Sequence, residues 1–498
     1  MIGTTSLAAA TGSAVTVGPL TLVSGPSPYA SCVNAGEPGT VYINAEVEPY
    51  IAVNPTTVGT ANVNLIGVWQ QDRWNNGGAH GLVAGFSFNG GTTWGETTLP
   101  FSVCAPNAIL DPFTGAPYGR ASDPWVSIGP DGTAYAVGLL ATNSTISGNN
   151  DTGVATVTSG DGGKSWGNQH LIKSDKGTSP IFEVTQFFND KESITADPIQ
   201  AGTAYVVWDR LQAPSHSPDA DLRARAFRGP TWFSKTTDGG RTWAGTRPIF
   251  DPGQNSQTIG NQVVVNRQTG VLYDFFELFQ TTGSPNFTPR GLSVDVISSS
   301  DGGNTWSNPT VISNQQTVDD FAPKTGALLR TGAGLPAAAI DASNGNLYVV
   351  WEDARFTGGT VNQVVLSRST NGGATWSKPA VVSNPSSKPA FTPTVAVNSG
   401  GTVAVTYFDF RNPDGITVGQ PTDYWFTSSS DHGVTFGGET RITPTSFDML
   451  NAPNAGGLFL GDYQSLDISG TTFHPFFVQA NTGNTSNRTD VFTSNVGP

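Results

Sequence analysis

Ser159-Gly-Asp-Gly-Gly-Lys-Ser-Trp166 and Ser299-Ser-Asp-Gly-Gly-Asn-Thr-Trp306 are two copies of one short stretch, and its recurrence decides the fold. Four further copies read Ser87-Phe-Asn-Gly-Gly-Thr-Thr-Trp94, Lys235-Thr-Thr-Asp-Gly-Gly-Arg-Thr-Trp243, Ser369-Thr-Asn-Gly-Gly-Ala-Thr-Trp376 and Ser429-Ser-Asp-His-Gly-Val-Thr-Phe436. The closing aromatics fall 60 to 77 residues apart, the period of a repeated supersecondary unit. Glycine supplies the positive φ of a tight hairpin turn, and the Asp or Asn oxygen accepts the turn's N–H groups. The Trp then buries a large ring between neighbouring units. Asp161, Asp238, Asp301 and Asp431 are therefore read as turn formers, not catalysts.

A second repeat gives the count. Ile51-Ala-Val-Asn, Val126-Ser-Ile-Gly, Ile194-Thr-Ala-Asp, Val263-Val-Val-Asn, Ala338-Ala-Ile-Asp, Val395-Ala-Val-Asn and Leu466-Asp-Ile-Ser each start a strand. Each precedes a turn and an apolar strand such as Leu347-Tyr-Val-Val-Trp-Glu-Asp353. Alternation and β-branched or aromatic enrichment say strand, and no helical period of useful length exists. Thr489-Asp-Val-Phe-Thr-Ser-Asn495 resembles the strand that enters the sixth turn, and Leu20-Thr-Leu-Val-Ser resembles the strand that leaves the fifth. The expectation is an all-β, single seven-bladed β-propeller. Residues 16–24 would form the outer strand of the blade built from 462–496, a closure that removes sheet edges. Residues 1–45 are then the N-terminal segment and 46–498 the propeller.

The repeated turn resembles the Asp-box, or BNR, pattern of the sialidase superfamily, and the resemblance covers nearly the whole chain. It implies an active site on the face opposite the boxes. In the order of strands, that face collects the ends of second strands: Asp72, Arg73 and Trp74; Asp209 and Arg210; Glu277; Asp353 and Arg355; Asp409 and Arg411. It also collects the starts of first strands: Glu48 and Tyr50; Arg120 and Asp123; Asp190, Lys191 and Glu192; Asp462 and Tyr463. The recurring Asp-x-Arg ends suit a structural ion-pair system, whereas Arg120, Asp123, Lys191, Glu192, Glu277, Asp462 and Tyr463 do not repeat.

Sialidases use an arginine clamp on the substrate carboxylate, a Tyr nucleophile with a Glu base, and an Asp acid/base. Carried over, the resemblance implies Arg73, Arg210, Arg355 and Arg411 for the clamp, Tyr463 as nucleophile, Glu192 or Glu277 as its base, and Asp123 as acid. Arg120, Lys191 and Trp74 complete the expected substrate contacts. The chain lacks the Arg-Ile-Pro stretch of sialidases and counts seven units where they have six. A glycoside hydrolase, a uronate lyase using His80 or His474, and a non-catalytic glycan- or protein-binding propeller therefore all stay open.

Composition bounds the partners. Net charge is −14 with 12% charged residues, so nucleic acid and anionic membranes are excluded as general partners. Met1–Ala14 is small, polar and the expected loose end, with no apolar run of spanning length. A charge-poor, Ser/Thr/Asn-rich surface and sequons at Asn143, Asn150, Asn286, Asn484 and Asn487 favour a secreted monomer acting on an extracellular glycan. Cys32 and Cys104, the only cysteines, would pair in an oxidising compartment. No zinc, P-loop or dinucleotide motif is present. No cofactor is required, although loop carbonyls and Asp groups could hold a structural calcium ion.

Overall fold

The computed structural model describes residues 15–33, 38–142, 151–177, 187–212, 226, 228–282, 289–384, 387–412 and 419–497. The segment Met1–Ala14 and the sequons at Asn143, Asn150 and Asn286 lie outside the described residues. The described chain is all-β, with two single 3-10 turns at Arg355–Thr357 and Met449–Asn451. No helix in it is long and apolar enough to cross a membrane.

Four-stranded antiparallel meanders follow one another along the chain. The first runs Glu46–Val53, Leu65–Arg73, Ala79–Ser87, Gly95–Leu99. The second runs Arg120–Ile128, Ala134–Ala141, Thr152–Ser159, Gly167–Asp175. The third is Phe187–Ala196, Ala204–Gln212, Thr231–Thr236, Arg247–Phe250, and the fourth is Ser256–Val265, Leu272–Thr281, Pro289–Ser299, Thr310–Asn314. Ala337–Ile340 opens the fifth and Ala390–Val397 the sixth. The last joins Ser465–Ser469, Thr472–Ala480 and Thr489–Thr493 to the N-terminal strand Thr21–Leu22, with Thr21 opposite Thr493. The expected outer strand over 16–24 is split: Thr16–Val17 pairs instead with Val496–Gly497.

The repeated turns join third to fourth strands, and their hydrogen bonds explain the sequence. Ser299 Oγ donates to Asp301 Oδ1 (2.8 Å) and accepts from Gly303 N (2.9 Å), while Thr305 N and Oγ1 donate back to Asp301. The same pattern recurs at Asp161, Asp238 and Asp431. Gly303 and Gly373 hold φ of 84° and 79°, and each carbonyl accepts from the indole N–H three residues on. Trp306 packs on Phe233 and Trp376 on Phe275, each on a ring of the meander before it, and Trp94 of the first meander packs on Phe476 of the last at 5.8 Å.

The core lies between meanders. Trp69, Trp208 and Trp351 are fully buried at matching steps of three second strands. A disulfide joins Cys32 to Cys104, fastening the N-terminal segment to the loop after the first meander.

Candidate functional site

The first strands carry a β-bulge at the end away from the boxes, and the bulge aims the site. Register shifts fall between Val47 and Tyr50, Ser122 and Trp125, Asp190 and Ser193, Ile259 and Gln262, and Phe391 and Thr394. The residue inside each shift is left-handed: Glu48 (φ 53°), Asp123 (52°), Lys191 (49°), Gly260 (72°) and Thr392 (49°). A non-glycine residue in that region costs about 1–3 kcal/mol, and such strain gathers at functional sites. Bulges there re-aim a side chain. Here three charged side chains from consecutive first strands are turned together. Lys191 Nζ lies 3.0 Å from Asp123 Oδ2, 3.4 Å from Glu48 Oε1 and 2.6 Å from Asp462 Oδ2.

Arg330 completes the cluster, with Nη2 at 2.6 Å and Nε at 3.0 Å from the two Asp462 oxygens. Arg73 donates to Gln70 (2.7 Å), whose amide in turn binds Glu48. The Arg73 and Arg330 guanidinium groups both lie over the Phe459 ring, at 4.9 and 4.5 Å.

Burial and charge then divide the carboxyls. Burial raises Asp462, but Arg330 and Lys191 overcome it and hold the group well below the usual range. Burial also raises Asp123, which Lys191 and Ser122 bring below its ordinary value. Burial works against the Lys191 ammonium, yet Asp123, Asp462, Glu48 and Asp190 lift it well above the usual lysine range. Glu48 is pushed up to about 8 by burial and Asp123, and Asp190 to about 7 by burial. Burial and Arg330 bring Arg73 down to about 10.

A cavity of about 730 Å³ opens over this cluster. Arg73, Arg120, Lys191, Arg330, Asp190 and Asp462 line one part of it, and Glu277 lines another. Glu277 is buried, and burial alone pushes its carboxyl up to about 8. Two buried acids raised toward neutrality, Asp190 and Glu277, thus share one cavity with several cations, an arrangement that can donate a proton and hold an anion at once.

Of the expected residues, Arg73, Arg120, Lys191 and Glu277 meet at the cavity. Asp123 lies beneath it against Lys191. Tyr463 is also off its lining: its hydroxyl donates to Pro124 O (2.9 Å), and its ring packs on Trp125 and Tyr50. Burial and Glu48 raise that phenol well above its ordinary value. Glu192 is buried with neither oxygen hydrogen-bonded, and burial with Asp123 raises it strongly. Trp74 is buried under the Arg120 guanidinium at 4.4 Å.

The expected arginine clamp disperses. Arg210 binds Asp175 (2.8 Å) and stacks on Phe187, Arg355 binds Asp353 (2.9 Å), and Arg411 is held between Asp409 and Glu439. The reason is local: in Asp-x-Arg the carboxylate two residues back claims Arg355 and Arg411 before any ligand can. His80 contacts Asp72 (3.1 Å), and His474 sits between Ser469 (2.6 Å) and Asn495 (2.8 Å), both away from the cavity lining. Among the described residues no group of three or more His, Cys, Asp or Glu is arranged to hold a metal ion.

Sequence reasoning missed Arg330. It reaches Asp462 because Leu329–Arg330 pairs in parallel with Leu458–Phe459, a contact across 132 positions that no local pattern encodes. The available signal was the following Thr-Gly-Ala-Gly run, whose Gly332 and Gly334 have φ of 67° and 100°. A Cβ on Gly332 would lie 2.2 Å from Asp462 O, so only glycine allows this approach.

No family model matches the chain. A sialidase of Micromonospora viridifaciens is 31% identical over 123 residues, which is 20% of this chain and 19% of that protein. The chain therefore spans about a fifth of the length of the curated relative it matches. Similar solved structures include an α-L-arabinanase of Penicillium chrysogenum (12% identity, 92% and 95% of the two chains, TM-score 0.44). The NanB sialidase of Streptococcus pneumoniae (9%, 97% and 99%, 0.44) and the Hadza microbial sialidase Hz136 (15%, 88% and 74%, 0.44) are others. At these scores the likenesses decide neither substrate nor chemistry. By its repeated turns and the matched stretch, the chain is sialidase-like.

Proposed function

We propose that the meanders are the blades of one seven-bladed propeller closed by the N-terminal strand, and that the chain is a secreted glycoside hydrolase acting on an anionic extracellular glycan. The ring reading is supported by the neighbours of the first strands. Each adjoins the next, and Glu46–Val53 adjoins Ser465–Ser469, with Ile51 N donating to Ser465 Oγ (3.2 Å). Trp94 on Phe476 repeats, between first and last, the contact that Trp306 and Trp376 make with the blades before them.

One observation carries the enzymatic reading: Asp190 and Glu277, raised toward neutrality, line the same cavity as four cations. In this reading Glu277 is the general acid, protonating the glycosidic oxygen as the bond to the leaving group breaks. Asp190 ionises first and is the partner carboxylate that assists the incoming oxygen. Arg73, Arg120, Lys191 and Arg330 offset the charge of the bound sugar acid. Asp123, Glu48 and Asp462 fix Lys191 and Arg330 rather than touch substrate chemistry.

A depolymerisation screen across sialosides, uronate polymers and neutral glucans tests this, read by new reducing ends and by the absorbance of unsaturated uronates. Reducing ends that vanish in Glu277→Gln support the hydrolase. Unsaturated products would assign a lyase, and binding without either product would assign a glycan-binding protein.

A further inference from the structure

The cavity lining combines two chemistries, a set of charged groups and one largely apolar sheet face that carries Glu277. The charged groups Arg73, Arg120, Asp190, Lys191 and Asp462 come from the first, second, third and last meanders and are joined by Arg330. The other part is one sheet face of the fourth meander. There Ile259 stands opposite Glu277, Gln257 opposite Phe279, and Phe279 opposite Leu292. Directly opposed residues share a face, and so do residues two apart on a strand. Glu277, Phe279, Ile259 and Leu292 therefore point the same way, and all four line the cavity. Leu335 and Phe188 extend the apolar surface. Phe279, Ile259, Leu292, Leu335 and Phe188 are each only partly buried, so their apolar area is offered to the cavity. Apolar surface left open in a concave site marks a ligand contact.

We propose that this face is the leaving-group subsite, and that the substrate joins a carboxylate-bearing sugar to an aromatic or similarly apolar aglycone. The inference rests on reading Glu277 as the general acid. An acid that protonates the glycosidic oxygen must stand on the side of the departing group, and the surface on that side of the cavity is Phe279, Ile259 and Leu292. The sugar acid then lies toward Arg73, Arg120, Lys191 and Arg330, where charge complementarity fixes its orientation. A polar aglycone would forfeit the apolar contact.

Equilibrium binding to the wild-type protein tests this with three matched probes: phenyl β-D-glucuronide, methyl β-D-glucuronide and phenyl β-D-glucoside. The phenyl glucuronide should bind roughly ten- to a hundredfold more tightly than either of the others, the scale for burying one ring. Phe279→Ser should bring it down to the level of the methyl glucuronide while leaving the methyl glucuronide unchanged, and Phe279→Leu should retain most of the preference. Equal binding of the two glucuronides, loss of both in Phe279→Ser with an intact circular dichroism spectrum, or no binding of any probe would each overturn the subsite. Preferential binding of the phenyl glucuronide without cleavage would keep the subsite and remove the hydrolase reading instead.

Discussion

Carboxyl groups at the two ends of the same meander are held in opposite protonation states. In the fourth meander, Asp301 lies in the turn after Pro289–Ser299, exposed and surrounded by donors: Thr305 Oγ1 and N, and Ser299 Oγ. Those donors hold it far below the ordinary aspartate value. Glu277, on the neighbouring strand Leu272–Thr281, is buried among Phe279, Ile259 and Leu292 and is pushed up to about 8. Donors decide the first and desolvation the second. The turn carboxylate is committed to the backbone and recurs from meander to meander, because each needs the same turn. The rim carboxyl faces a cavity, and the matching step of the neighbouring second strands carries the buried acids Asp209 and Glu352.

Removing the central cation at the rim should have the largest effect. Lys191→Met leaves Asp123, Asp462 and Glu48 buried without their shared partner, a loss of about 3–5 kcal/mol in denaturant unfolding. A loss below about 1 kcal/mol would show that the rim charges are as solvated as those of the turns. Next, Glu277→Gln should lower kcat by about a hundredfold or more, with no loss of melting temperature. Steady-state kinetics on whichever substrate the screen returns, beside thermal unfolding, separate the two effects.

The turn end should respond in stability alone. Ser299→Ala removes the hydroxyl that bridges Asp301 and Gly303, and should cost about 1–2 kcal/mol while kcat holds. A change in kcat would mean that the two faces communicate. The smallest signal is in pH. Glu277 and Glu48 rise from 4.5 to about 8, so the native state keeps protons that the unfolded chain releases. Their contribution is fully present below about pH 4.5 and is lost as pH rises toward 8. The turn aspartates have the opposite sign: their contribution is present above the unfolded value and lost as pH falls through the depressed one. Melting temperature against pH should therefore slope less steeply between pH 5 and 8 in Glu277→Gln than in the wild type.

Much of the fold was legible because turns and strand starts are local. Ser299, Asp301, Gly303 and Trp306 satisfy one another within eight residues, and the seven tetrapeptides read as strand starts each fall in a described first strand, at its end rather than its start. The site was legible only by face. Arg73, Arg120, Lys191 and Glu277 share a cavity as the strand order implied. The depth of Asp123, Glu192 and Tyr463 was not readable, because a bulge sets which way a side chain turns and leaves no composition of its own. Nor was Arg330, whose partner Asp462 is brought by a parallel pairing between distant segments. The recurring Asp-x-Arg ends read as ion pairs from the residues alone, and Arg355 and Arg411 are bound to Asp353 and Asp409; only the family resemblance had implied a substrate clamp there.

The sheet that unites Thr21–Leu22 with Thr489–Thr493 also sets a schedule. Ser24 and Asp490, hydrogen-bonded across it, are separated by 466 positions. At ribosomal rates of about 5–20 residues per second, roughly 20–90 s pass between the emergence of the two. Through that interval the first blade has no Phe476 for Trp94 to rest on, and its flank stays open to other chains. The cell must shelter one unsealed seam through that interval.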